Sequence, residues 1–181
     1  KVEVLVPEAF LEEARAFFPQ GLRVIPASRG ELLGAPVGSP EFAAEFCLER
    51  LRRSALKCAA LRRIASPHVA FALLRFCASY GLGVFYARAC GPLARAGLEA
   101  LDAAVSETFA DILGDLPAAA ALQSTLPCRL GGLGLRPCGP YAAIAFAASN
   151  CASLPVVVAL GARRFGNDPF EAASALAPAL A

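Results

Sequence analysis

Along the chain, the spacing of apolar residues changes at Ser39. Before it, apolar residues fall in short runs broken by Pro and Gly; after it, they recur at helical intervals almost to the end. The opening Lys1-Val2-Glu3-Val4-Leu5-Val6 alternates, with Val2, Val4 and Val6 on one side, as a half-buried strand does. Pro7 suits the first turn of a helix. Phe10, Leu11, Ala14, Phe17 and Phe18 would form that helix's apolar stripe, with Glu8, Glu12, Glu13 and Arg15 facing out. Beyond Pro19 and Gly21, Leu22 to Ile25 and Glu31 to Gly34 read as short strands around an Ala27-Ser28-Arg29-Gly30 turn. The expected unit is β-α-β-β, too small to be stable as a free-standing sheet.

Ser39 followed by Pro40 predicts a helix start, supported by Glu41 and Glu45 near its positive end. Ala44, Leu48, Leu51, Ala55 and Cys58 would line its packed side, while Arg50, Arg53 and Lys57 cluster on nearly the opposite one. Such a basic ridge is either a solvated face or a contact for a phosphate backbone. Ser66-Pro67 starts a further helix, apolar from Val69 to Tyr80 except at Arg75, which predicts a central buried element ended by Gly81 and Gly83. Tyr80, Tyr86, Arg75 and Arg88 are candidates for stacking on nucleic acid, but such residues are more often core aromatics and buried Arg with a carboxylate partner. Leu93 to Leu113 places Leu98, Leu101, Val105, Phe109 and Ile112 on one stripe, with Glu99, Asp102 and Ser106 toward solvent.

After Gly114 and Pro117 a short helix should reach Leu126. Pro127 then leads to Gly131-Gly132-Leu133-Gly134-Leu135-Arg136-Pro137. That spacing is not G-x-G-x-x-G and no strand precedes it, so close backbone packing explains the glycines better than a dinucleotide site. Pro140 should open a helix through Ala152, and Leu154 to Leu160 another, before a marginal Ala-rich tail after Pro169. The expected class is α+β, mostly α. Three parts are expected: residues 1–38, a helical bundle over 39–126, and a loop with C-terminal helices over 127–181.

Composition narrows the chemistry. Hydrophobic residues make up 57% and charged residues 18%, which is a globular and not a disordered balance. The net charge of +2 does not by itself point to nucleic acid, although 15 of the 17 basic residues are Arg, the side chain best matched to phosphate. A G- and C-rich genome produces the same bias. Seven Cys without a C-x-x-C pair, and a single His, exclude the usual zinc spacings and fit reduced, buried thiols in an intracellular protein, nuclear or cytoplasmic. The absence of Met suggests a piece of something longer. The uncharged run from Pro137 to Ala162 is long enough to raise a membrane span, but Pro140, Asn150, Ser153 and Pro155 interrupt it, so a buried helix pair and no membrane partner are expected. There is no phosphate loop, no nucleophile elbow and no spaced Asp pair for Mg²⁺, so neither a metal nor a cofactor is expected in this chain.

Three stretches, taken in order, resemble the C-terminal half of a non-LTR retrotransposon-type reverse transcriptase. Lys1-Val2-Glu3-Val4-Leu5 resembles the strand of palm motif D. Leu32-Leu33-Gly34-Ala35-Pro36-Val37-Gly38-Ser39 resembles the motif E hairpin at the junction of palm and thumb. Leu126-Pro127 followed by Gly131 to Arg136 resembles a signature found downstream of the thumb. The resemblance implies a palm remnant followed by a thumb-like bundle, taken from a parent that performs RNA-templated DNA synthesis with two Mg²⁺ ions. It also implies that the metal-binding aspartates, with the rest of palm and fingers, lie before Lys1, so this chain alone should not polymerise. Lys1 would match the lysine that protonates the leaving pyrophosphate. Leu33, Gly34, Pro36 and Gly38 would support the primer, and Arg50, Arg53 and Lys57 would face an RNA/DNA primer-template duplex. Two alternatives need no such parent activity: a helical scaffold or partner-binding module, and a degenerate retroelement remnant.

Overall fold

The computed structural model describes residues 3–19 and 22–165. Lys1 and the Ala-rich tail after Pro169 lie outside the described residues. The fold is α+β and mostly α, and among the described residues every strand lies before Ser39.

Strand β1 (Glu3–Val6) leads through a 3-10 turn into helix α1 (Leu11–Phe17), and β2 (Arg23–Pro26) returns parallel to β1 with Val4 opposite Val24. The next pair is set one element later than the sequence suggests. β3 (Arg29–Leu32) and β4 (Ala35–Gly38) form an antiparallel hairpin, so the unit is β-α-β-β-β and its tight turn is Leu33-Gly34. Both turn residues have positive φ, 51° and 85°, the combination that matches the right-handed twist of flanking strands. The two pairs remain separate two-stranded sheets. Of the predicted α1 stripe, only Leu11, Ala14 and Phe18 are partly covered; Phe10 and Phe17 face solvent at 56% and 83% exposure.

Helix α2 (Pro40–Leu61) begins as the sequence predicts: Ser39 Oγ accepts a hydrogen bond from the Phe42 amide at 3.2 Å, and Pro40 occupies the first turn. Its buried residues are Ala43, Cys47, Leu51 and Cys58. Taken at about 100° per residue, this face lies roughly 50° round from the predicted one, toward the basic ridge. The turn brings α2 squarely onto α5 (Arg95–Leu113), the broadest helix contact in the protein. At the crossing a Cβ on Gly97 would lie 2.8 Å from Leu51 Cδ1 and 3.0 Å from the Cys47 carbonyl oxygen, so glycine lets the backbones close. Leu51, Leu74, Leu98 and Leu101 are fully buried around this crossing, and Arg62 ties the end of α2 to Glu107 and Asp111 of α5 at 3.2 and 2.8 Å.

Helix α3 (Pro67–Leu73) passes through a π turn over Leu74–Ala78 to α4 (Tyr80–Cys90). Two expectations fail here. The segment is not buried all round, since Val69 and Phe76 are exposed while Ala70, Leu74 and Ala78 face the core. Nor do Gly81 and Gly83 end the helix: the break is at Ser79, and α4 runs through both glycines. Gly83 is buried where a Cβ would collide with Cys138 Sγ, so its role is close packing.

Helix α6 (Ala118–Thr125) precedes a loop that folds back on it: the Leu133 and Leu135 amides both reach the Ser124 carbonyl at 3.2 Å. The glycines here answer to geometry, as expected, for a Cβ on Gly132 would run into the Leu126 carbonyl oxygen. Helix α7 (Ala142–Phe165) is one helix with Pro155 inside it, not a buried pair. Ala142 is buried, yet Ile144, Leu154, Val156 and Leu160 are each at least half exposed. By length and composition alone, Gly139–Leu160 could cross a bilayer: its 18-residue apolar window has a mean hydropathy of 1.9 and none of it is buried. The cysteines divide likewise, with Cys47, Cys58, Cys90 and Cys138 buried as expected but Cys77, Cys128 and Cys151 exposed.

Candidate functional site

The predicted site residues that the structure brings together lie where the β3–β4 hairpin meets the helical body. β4 packs against both α2 and α4. Gly34 approaches the Phe85 ring of α4, and a Cβ on that glycine would meet Phe85 Cε1 at 4.0 Å. Across the junction the Glu31 carboxylate accepts from Arg50 Nη2 at 3.2 and 3.1 Å, and the Arg50 guanidinium lies 5.0 Å above the Phe46 ring. Tyr86 stands behind this pair. Burial pushes its phenol above its ordinary value, and the Arg50 charge opposes that shift. Pro36 is half-buried opposite Glu31 in the hairpin. Gly38 fits because a Cβ there would run into the Ser28 carbonyl oxygen. At the tip, Leu32 and Leu33 project at 62% and 92% exposure.

The basic ridge is only partly available. Arg50 is committed to Glu31 and Phe46 at the edge of the packed face of α2. Arg53, one turn on, pairs with Glu49, and both side chains are more than 60% exposed. Lys57 is exposed farther along the helix. Exposed i,i+4 pairs are worth only about 0.3–0.5 kcal/mol, so Arg53 can exchange its carboxylate for another anion at little cost. Arg50 is held more firmly, by a charge-assisted pair and an aromatic face together.

The tyrosines and arginines left open by the sequence divide between two environments. Tyr80 and Tyr86 pack against the core cluster. Arg75 is half-buried, its guanidinium 4.7 Å from the Phe76 ring and close under Gly134, whereas Arg88 faces solvent.

Sequence reasoning missed Asp102, placed there on the solvent face. Its carboxylate accepts from the Cys138 amide at 2.8 and 2.9 Å and from the Gly139 amide at 2.8 Å, fixing the turn that leads into α7. Burial raises its acid range despite those two amides. Nothing local to Asp102 signals this, since its partners stand 36 and 37 residues away. A cavity of about 220 Å³ lies apart from the hairpin, between α5, α6 and the glycine loop, with Val105, Phe109 and Leu135 as its apolar wall and Asp115 and Arg136 at its rim. Among the described residues, no group of His, Cys, Asp and Glu is placed to hold a metal ion.

No protein-family model matches the chain, and neither a curated protein nor a solved structure matches it. What the junction can do therefore rests on its own residues.

Proposed function

We propose that this chain is the end of a reverse transcriptase palm with the thumb-like bundle that follows it, and that it helps position a primer-template duplex. The support is the order of three motif-like stretches along the chain, ending in Leu126-Pro127 and Gly131 to Arg136. The observation that carries the positional role is that the β3–β4 hairpin is joined to α2 through β4 and the Arg50–Glu31 pair, while Arg53 and Lys57 lie exposed farther along that helix. An apolar tip joined to a helix that bears cations suits a duplex end: the tip meets sugar and base, and the cations meet the phosphates. Arg50 has a different role in this reading, locking hairpin to helix through Glu31 instead of touching phosphate.

The test is binding of the purified chain to an RNA/DNA primer-template across a salt series. Charge reversal at both Arg53 and Lys57 should weaken binding and flatten the log-log salt slope by roughly 1.8, about 0.9 for each phosphate that is no longer neutralised. Binding without salt dependence, or a slope unmoved by the double reversal, sinks the proposal.

A second reading, a helical partner-binding module, draws on a specific observation: Glu31 and Glu49 pair with two of the three ridge cations while the apolar length of α7 stands uncovered. In the same titration, the absence of any duplex binding is the outcome that favours it.

A further inference from the structure

The break between α3 and α4 lies inside the core: Ala78 is 3% and Ser79 2% exposed. Ser79 leaves helical geometry at φ −104° and ψ −129°, directly after a π turn. Three side chains reach carbonyls around the break. Ser79 Oγ donates to the Arg75 carbonyl at 2.8 Å, Cys58 Sγ of α2 to that of Ala78 at 3.3 Å, and Cys138 Sγ, just before α7, to that of Tyr80 at 3.8 Å. Of the three, the Cys58–Ala78 contact is fully buried, and a carbonyl there, beside irregular backbone, needs such a partner because water cannot reach it.

We infer that Cys58 and Cys138 form a thiol latch, two hydrogen-bond donors from opposite sides of the core that hold the Ser79 break in one geometry and so set the direction of α4. What depends on that direction is the hairpin junction, since α4 carries Phe85 to Gly34 and Tyr86 to the Arg50–Glu31 pair. The latch is itself positioned. Asp102 holds the Cys138 amide, and Gly83 leaves the notch that admits Cys138 Sγ. Burial keeps both thiols protonated, and therefore donors, with Cys138 pushed up to about 12 by burial and then by the Asp102 charge. This role differs from that of inert apolar filler, in which a methyl group would serve as well.

Hydrogen exchange compares donor-keeping with donor-removing variants. In Cys58→Ala and Cys138→Ala, amides of residues 80–84 should exchange roughly fivefold faster than in the corresponding Ser variants, the factor expected when one hydrogen bond is removed. The Leu98–Phe109 stretch of α5 should follow global stability alone. Equal exchange over residues 80–84 in Ser and Ala variants overturns the latch. Should the Ala variants fail to fold, infrared difference spectra of the intact protein against Cys58→Ser and Cys138→Ser decide the matter. S–H stretching bands shifted to lower frequency support donation, and bands at the frequency of a thiol in hydrocarbon overturn it.

Discussion

The strand-rich stretch before Ser39 and the helical body after it use similar apolar residues to different effect. In the first, Gly30 is the single buried position among the described residues, and Leu5, Phe10, Phe17, Leu32 and Leu33 are all exposed. In the second, one continuous cluster runs from Cys47 through Leu51, Leu74, Leu98 and Leu101 to Cys138 and Ala142. The difference is one of layers. A two-stranded sheet has too little area to close a core against one short helix, whereas α2 across α5, with α4 beneath, encloses side chains from every direction. Apolar sequence is thus not the same as apolar burial; the number of elements that can converge decides.

The sharpest way to break that comparison is to cut equal volumes from its two sides. Leu98→Ala should destabilise the protein by about 2–5 kcal/mol in denaturant unfolding, while Leu33→Ala should stay within about 0.5 kcal/mol of the parent. Similar losses at both positions would mean that the hairpin tip is covered in solution.

A smaller effect concerns pH, because the buried thiols all lie in the body and the strand-rich stretch contains no Cys. Cys138 ordinarily titrates near 9.0 and is pushed up to about 12 in the fold, so above its unfolded value the unfolded chain loses this proton first. Stability from this group is fully present below the unfolded value and is lost as pH rises through that window. Thermal unfolding across alkaline pH should show the decline, and Cys138→Ala should lessen it; an unchanged slope would show that the thiol is not desolvated.

The smallest change should be favourable. Leu33 holds φ at 51°, a region that costs a residue with a Cβ about 1–2 kcal/mol, and its side chain buries almost nothing in return. Leu33→Gly should therefore stabilise the chain by up to about 1 kcal/mol, the gain being reduced by the extra freedom of glycine when unfolded. If the same variant also weakens duplex binding, Leu33 is retained for contact and not for folding.

What is legible without coordinates follows chain distance. The start of α2 can be read because Ser39 and Phe42 are three residues apart, and the α5 stripe because its packing positions repeat every third or fourth residue. The hairpin turn is easily misplaced because Leu33-Gly34 lacks the usual Asn or Asp of such a turn, while Ala27 to Gly30 looks the more turn-like. At the candidate site, residue pattern alone reads Glu31 to Gly34 as a strand, and only the resemblance to motif E marks Leu33, Gly34, Pro36 and Gly38 as a hairpin stretch. The Glu31 partner that removes Arg50 from the free cations stands 19 residues away and has no local signature.

The sequence alone determined the change from short strands to helices at Ser39, the mostly helical class, the cap at Ser39 and the need for glycine in the loop after Pro127, because each depends on neighbours within a few residues. Tertiary structure alone decided the rest: which side of α2 is buried, that Asp102 holds the turn into α7, that Arg50 pairs with Glu31, and that α7 stands largely uncovered. Those outcomes depend on which surfaces meet, and on the desolvation that follows, and neither is encoded at any single stretch of chain.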